Sequence, residues 1–190
     1  MIILVCGGAG SGKSEFAEKI CQEVFFSLSC ERKIYLATMI KSDSETEKKI
    51  SIHRQKRKDK GFFTIEQPYE LSIAKNYIKK TDVVLLECLS NLLANEMFEK
   101  RTTNSIDKRV SYKIYNEILE IEKSSKALII VSNDVFRDGS FFGEYTKELA
   151  TLNILIAKSA YEVYEVTAGN IESYKRDLLK SKGDFFERHF

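Results

Sequence analysis

Two stretches of this chain bring together residue types that can handle phosphate. The first, Gly7-Gly8-Ala9-Gly10-Ser11-Gly12-Lys13-Ser14, matches G-x-x-x-x-G-K-[ST] in full. In such a loop the glycines let successive backbone N–H groups turn toward phosphate oxygens, and the helix that follows adds the positive end of its dipole. Lys13 is placed to reach the β- and γ-phosphates, and Ser14 to offer its hydroxyl to Mg²⁺. The second stretch, Lys48 to Phe63 (KKISIHRQKRKDKGFF), gathers seven lysines and arginines around His53, one of only two histidines in the chain. Taken alone it has a bland explanation: a helix over 43–58 opens on SDSETE and closes on HRQKRK, which matches the helix macrodipole.

These groups need elements to hold them. Ile2 to Cys6, Lys33 to Thr38, Asp82 to Glu87, Ala127 to Ser132 and Tyr161 to Thr167 read as strands, and several are near-continuous aliphatic runs. Amphipathic segments near 13–27, 43–58, 69–80, 89–100, 105–124 and 143–160 read as helices between them. This alternation predicts an α/β fold with a mostly parallel, doubly wound sheet. The phosphate loop then sits where it must, between the first strand and a helix carrying Phe16, Ala17 and Ile20. Glu87 falls at a strand end, on the side where ligands gather in open α/β sheets, and is a candidate for the nucleotide or its metal. A single domain over 1–168 is expected, with 169–190 as a C-terminal helix or tail.

Composition excludes several classes. The net charge is only +2, and the Lys48–Lys60 cluster has no interleaved stacking aromatics, so nucleic acid is a poor partner. The four cysteines (Cys6, Cys21, Cys30 and Cys88) show no metal-ligand spacing, and Cys6 and Cys88 read as small buried hydrophobes. No apolar run approaches the length of a membrane span, and the N-terminus lacks the pattern of a signal peptide. A soluble cytoplasmic protein is expected.

The combination of GGAGSGKSEFAE, YLAT, IHRQKR followed by FFTIEQP, VVLLECLSNLLANEMF and IIVSND, in that order, resembles the adenosylcobinamide kinase/adenosylcobinamide-phosphate guanylyltransferase family of cobalamin assembly. The resemblance implies two reactions. In one, the γ-phosphate of ATP or GTP passes to the hydroxyl of a corrinoid, adenosylcobinamide. In the other, a histidine takes GMP from GTP as a phosphoramidate and hands it to adenosylcobinamide phosphate. His53 matches the guanylylated histidine by its position in IHRQKR. Carried over likewise, nucleotide contacts fall on Gly7 to Ser14, on Ala37, Thr38 and Met39, on Arg54, Gln55, Lys56 and Arg57, and on Glu66 and Glu87. An imidazole is largely neutral near pH 7 and can act as a nucleophile without a separate base. Arg54, Lys56 and Arg57 would neutralise charge on the phosphorus oxygens and the departing pyrophosphate. The resemblance also implies a homo-oligomer, a homotrimer. After the strand ending in Asn133 and Asp134 the pattern departs: the expected proline is missing, Thr146 and Lys147 stand near an expected Arg-Asp pair, and Ala150 replaces a glycine. A kinase of another small molecule, with His53 unmodified, and a nucleotide-dependent nucleic-acid-binding module are the competing readings.

Overall fold

The computed structural model describes residues 1–40, 59–99, 110–134 and 143–176. His53, Arg54, Gln55, Lys56 and Arg57, with the whole helix expected over 43–58, lie outside the described residues, as do 105–109 and 177–190.

Alternation along the first strand sets the layering. In β1 (Ile2–Gly7), Ile2 and Leu4 face one side while Ile3 and Val5 face the other, and all four are buried. β2 (Arg32–Ala37), β3 (Phe62–Glu66), β4 (Asp82–Glu87), β5 (Ala127–Asn133), β6 (Glu162–Thr167) and β7 (Asn170–Arg176) complete a seven-stranded sheet in the order β3-β2-β4-β5-β1-β6-β7. Every pairing is parallel except β6 with β7.

One face is covered by α1 (Lys13–Ser27), whose Phe16, Ala17, Ile20, Cys21 and Val24 pack on Ile3, Val5, Leu85 and Val131. The other carries a 3₁₀ helix (Leu71–Tyr77), α2 (Leu89–Ala94), α3 (Val110–Ser124) and α4 (Glu144–Ser159). Their Leu71, Leu92, Ile118 and Leu152 meet Leu4, Leu36, Leu86 and Ile130. The α/β doubly wound expectation therefore holds, with both faces of the central strands buried. No helix among the described residues is long and apolar enough to cross a membrane.

Three expected segments change, and β3 is a strand where none was expected. The helix expected over 69–80 is a 3₁₀ helix limited to Leu71–Tyr77. The helix expected over 89–100 is α-helical only to Ala94 and continues as a π turn, Asn95–Glu99. Residues 170–176, expected as helix or tail, form β7, so the hairpin β6–β7 spans the boundary placed at 168. The two residues between its strands, Ala168 and Gly169, have φ of 50° and 82°, the positive pair that a tight hairpin turn requires.

Candidate active site

Because the parallel strands all point the same way, the ends of β1, β2, β3, β4 and β5 converge on one edge. The phosphate loop leaves β1 there. Gly7 pairs with Val166 of β6, and a Cβ on it would lie 2.4 Å from the Val166 carbonyl oxygen and 2.7 Å from Ser11 Oγ. Only hydrogen fits. Gly12 enters α1 at φ 95°, a left-handed conformation that glycine adopts without strain. The turn of the β6–β7 hairpin closes on the loop from outside, with Gly169 N–H donating to the Ser11 carbonyl at 3.0 Å. Within the loop, Lys13 Nζ donates to the Gly8 carbonyl at 3.0 Å, so the ammonium is folded over the loop it would serve.

Glu87 comes to the same place from the end of β4. Ser14 Oγ donates to its Oε1 at 2.5 Å, and the Tyr35 hydroxyl donates to its Oε2. Tyr35 is itself fixed by burial and by an edge-to-face contact with Phe62, ring centroids 5.8 Å apart. Among the described residues no three His, Cys, Asp or Glu side chains are grouped to hold a metal. A hydroxyl and a carboxylate in contact are the hard oxygen donors Mg²⁺ takes when phosphate oxygens and water complete its shell, so Ser14 and Glu87 fit that ion.

A cavity of about 300 Å³ opens beside these groups. Lys13, Ser14, Ala37, Met39, Glu66 and Glu87, six residues singled out in the sequence, line it together. A larger depression of about 580 Å³ lies over α1 between Lys60, Phe62 and Gly169, but Lys13, Ser14 and Glu87 are absent from its walls. The chemistry points to the smaller one. Thr38 stands differently from its neighbours: it is fully buried, and its hydroxyl accepts from Cys88 N–H and donates to the Cys88 carbonyl, both at 2.8 Å. It shapes the wall from behind. Asn95 does similar work, its amide donating to the Thr38 carbonyl at 2.8 Å and the Pro68 carbonyl at 3.0 Å. These bonds tie together the segments that follow β2 and β3, beside Met39 and Glu66.

Sequence reasoning missed Tyr35, Asn91 and the place of Asn133 on the cavity wall. For Tyr35 a signal existed. Tyr35 and Ala37 share a face of β2 and stand opposite Leu85 and Glu87 in register, so a two-residue period carries the site backward along the strand. The cysteines nearby are chemically quiet. Burial pushes the Cys6 thiol up to about 12, with Asp134 and Glu165 adding to the rise and Lys13 opposing it. Burial likewise raises Cys88, against the hydrogen bond from Ser90. Both stay protonated near neutrality and are poor nucleophiles.

A phosphate loop after β1, an acidic strand end two strands away and an open cavity at the carboxyl edge define a P-loop nucleotide-binding α/β protein. The fold agrees with the crystal structure of the flagellar accessory protein FlaH from Methanocaldococcus jannaschii, to which the chain is similar at a TM-score of 0.51 and 15% identity, over 92% of this chain and 78% of that one. The profile of the cobinamide kinase / cobinamide phosphate guanyltransferase family matches residues 3–172, and the chain belongs to that family. It is 27% identical over 182 residues to the bifunctional adenosylcobalamin biosynthesis protein CobU of Escherichia coli K12, covering 89% of this chain and 97% of that protein. It is also 32% identical over 93 residues to the bifunctional adenosylcobalamin biosynthesis protein CobP of Pseudomonas aeruginosa, covering 48% of this chain and 50% of that one.

Proposed function

We propose that the protein phosphorylates adenosylcobinamide and then converts the product to adenosylcobinamide-GDP by way of a guanylylated His53. The observation that carries the proposal is the convergence of Lys13, Ser14, Glu66 and Glu87 on one cavity in a chain of this family.

In the kinase reaction the corrinoid hydroxyl oxygen attacks the γ-phosphorus of ATP or GTP. The new P–O bond forms as the bond to the β–γ bridging oxygen breaks, the nucleoside diphosphate leaves, and the hydroxyl proton passes to solvent. Lys13 and the loop N–H groups hold the phosphates and offset the charge that builds on the leaving oxygen. Ser14 and Glu87 would hold Mg²⁺, which supplies charge neutralisation between the phosphates when bound.

In the second reaction an imidazole nitrogen of His53 attacks the α-phosphorus of GTP. A P–N bond forms, the bond to the α–β bridging oxygen breaks, and pyrophosphate departs. A phosphate oxygen of adenosylcobinamide phosphate then attacks the same phosphorus, breaks the P–N bond and restores the histidine. Neutral imidazole is the competent nucleophile, and Arg54, Lys56 and Arg57 suit the leaving pyrophosphate. The family resemblance supports assembly as a homotrimer.

The test is incubation with α-³²P-GTP and Mg²⁺ followed by denaturation. Label that is acid-labile and alkali-stable is expected on the wild-type protein and absent from His53→Ala. Absence of label from wild type that binds GTP would leave a plain kinase; label persisting in His53→Ala would move the nucleophile elsewhere.

A further inference from the structure

The geometry points to Asn133 as a catalytic residue of phosphoryl transfer, its side-chain amide donating to the γ-phosphoryl group as that group moves. The inference rests on the function proposed above, and it comes from the strand order. β5 is inserted between β1, which carries the phosphate loop, and β4, which ends in Glu87. Register then fixes its last residue: Gly7 stands opposite Asn133, and Glu87 opposite Val131. Asn133 therefore projects from the strip of backbone between the loop and the acidic strand end. It lines the cavity that Lys13, Ser14 and Glu87 line.

Its backbone is pinned, since the next N–H, that of Asp134, donates to the Gly7 carbonyl at 3.0 Å. Its side chain is aimed as well. Asn133 Nδ2 donates to Ser90 Oγ at 2.7 Å, and Ser90 is held in turn by Cys88 Sγ at 3.1 Å and, through its carbonyl, by the Tyr145 hydroxyl at 3.2 Å. An asparagine amide has two N–H donors and a carbonyl. Ser90 engages one donor, and no hydrogen bond joins the other to any described residue. Asn133 is half-buried on the cavity wall, where that second donor can meet water or a ligand.

A neutral donor suits this place. Lys13 already supplies the cation, and in phosphoryl transfer the charge spreads over the three equatorial oxygens of the moving group. An oriented N–H directed at one of them adds stabilisation without bringing a second charge beside Glu87. Guanylyl transfer happens at the α-phosphorus, two phosphates away, so the two reactions depend unequally on this residue.

The experiment compares guanylyl imidodiphosphate with GDP, each titrated calorimetrically in MgCl₂ into wild type, Asn133→Ala and the isosteric Asn133→Asp. Loss of one hydrogen bond to a charged oxygen predicts affinity for the triphosphate analogue about tenfold or more weaker in Asn133→Ala, with GDP affinity held within about twofold. Asn133→Asp keeps the volume and places an anion at the γ-phosphate, so its selective loss should be larger. Phosphorylation of adenosylcobinamide should fall in kcat, and by more than the ³²P label from α-³²P-GTP formed at saturating GTP. Parallel loss of both nucleotides, unchanged affinity for both, or equal loss of label and phosphorylation would overturn the assignment. Should wild type fail to phosphorylate adenosylcobinamide, the proposed acceptor is wrong, and the split between triphosphate and diphosphate still decides Asn133.

Discussion

Replacing Gly7 by alanine tests how tightly β6 clamps the phosphate loop. The backbone at Gly7 is not in the left-handed region, so alanine meets no conformational penalty there. Its cost comes from contact alone. The new methyl would stand 2.4 Å from the carbonyl oxygen of Val166 in the paired strand and 2.7 Å from Ser11 Oγ. The Ser11 side chain can rotate, but the Val166 carbonyl is backbone in a sheet ladder. To restore ordinary contact β6 would have to withdraw by about 1 Å, a large fraction of the slack between strands spaced about 4.8 Å apart. Overpacking of this kind costs about 1–3 kcal/mol, and weakening one or two ladder bonds adds about 1 kcal/mol each. A total near 3 kcal/mol corresponds to a Tm lowered by about 6–12 °C for a chain of this length. Gly8→Ala is the control, because nothing lies within 4 Å of a Cβ at that position; its Tm should stay within about 2 °C of wild type. Adding Ser11→Ala to Gly7→Ala should not rescue it, since the carbonyl clash remains. Differential scanning calorimetry of the four proteins decides. A Gly7→Ala protein melting with the wild type would refute the argument.

Lys13→Ala should lower phosphorylation of adenosylcobinamide by about a thousandfold or more, because charge stabilisation and positioning supply most of the catalysis in phosphoryl transfer; near-normal turnover would contradict the site. Asp82 is fully buried and accepts from Arg32 Nε at 2.9 Å, Arg32 Nη2 at 2.5 Å and Lys79 N–H at 2.7 Å. Asp82→Ala should destabilise by about 2–3 kcal/mol in urea unfolding, less than for a fully buried pair because Arg32 keeps access to water. Burial raises the Cys6 and Cys21 thiols from 9.0 to about 12, so the folded state holds these protons more tightly than the unfolded chain. The stability they support is complete below pH 9.0 and is lost as pH rises toward about 12. Tm measured across that window should fall, and fall less in Cys21→Ala; a flat profile would refute the linkage.

What the sequence disclosed depended on how fully each element is buried. IILVC, DVVLLE and ALIIVS lie in the interior of the sheet, and their unbroken aliphatic runs announced strands at once. The edges did not announce themselves. β3, FFTIE, is only five residues long with Phe63 and Glu66 turned to solvent, and β7, NIESYKR, shows exposed Ile171 and Tyr174 among polar residues. Neither has the apolar face that betrays a buried strand. The hairpin between β6 and β7 was hidden further by Ala168, which occupies a left-handed position where asparagine or aspartate would have signalled the turn. The phosphate loop and Glu87 were legible because motif and strand end coincide. Asn91 and Asn95 were not, since their roles arise from strand order and contacts between loops that no local pattern encodes, and Tyr35 was signalled only by its two-residue spacing from Ala37.

A crystal structure with a non-hydrolysable GTP analogue and Mg²⁺ tests the central claim most directly. The triphosphate should be wrapped by Gly7 to Ser14, its γ-phosphate against Lys13, with the His53 imidazole within about 3–3.5 Å of the α-phosphorus or able to swing there. A triphosphate seated away from that loop, or a His53 ring fixed in bulk solvent beyond reach of it, would contradict the account.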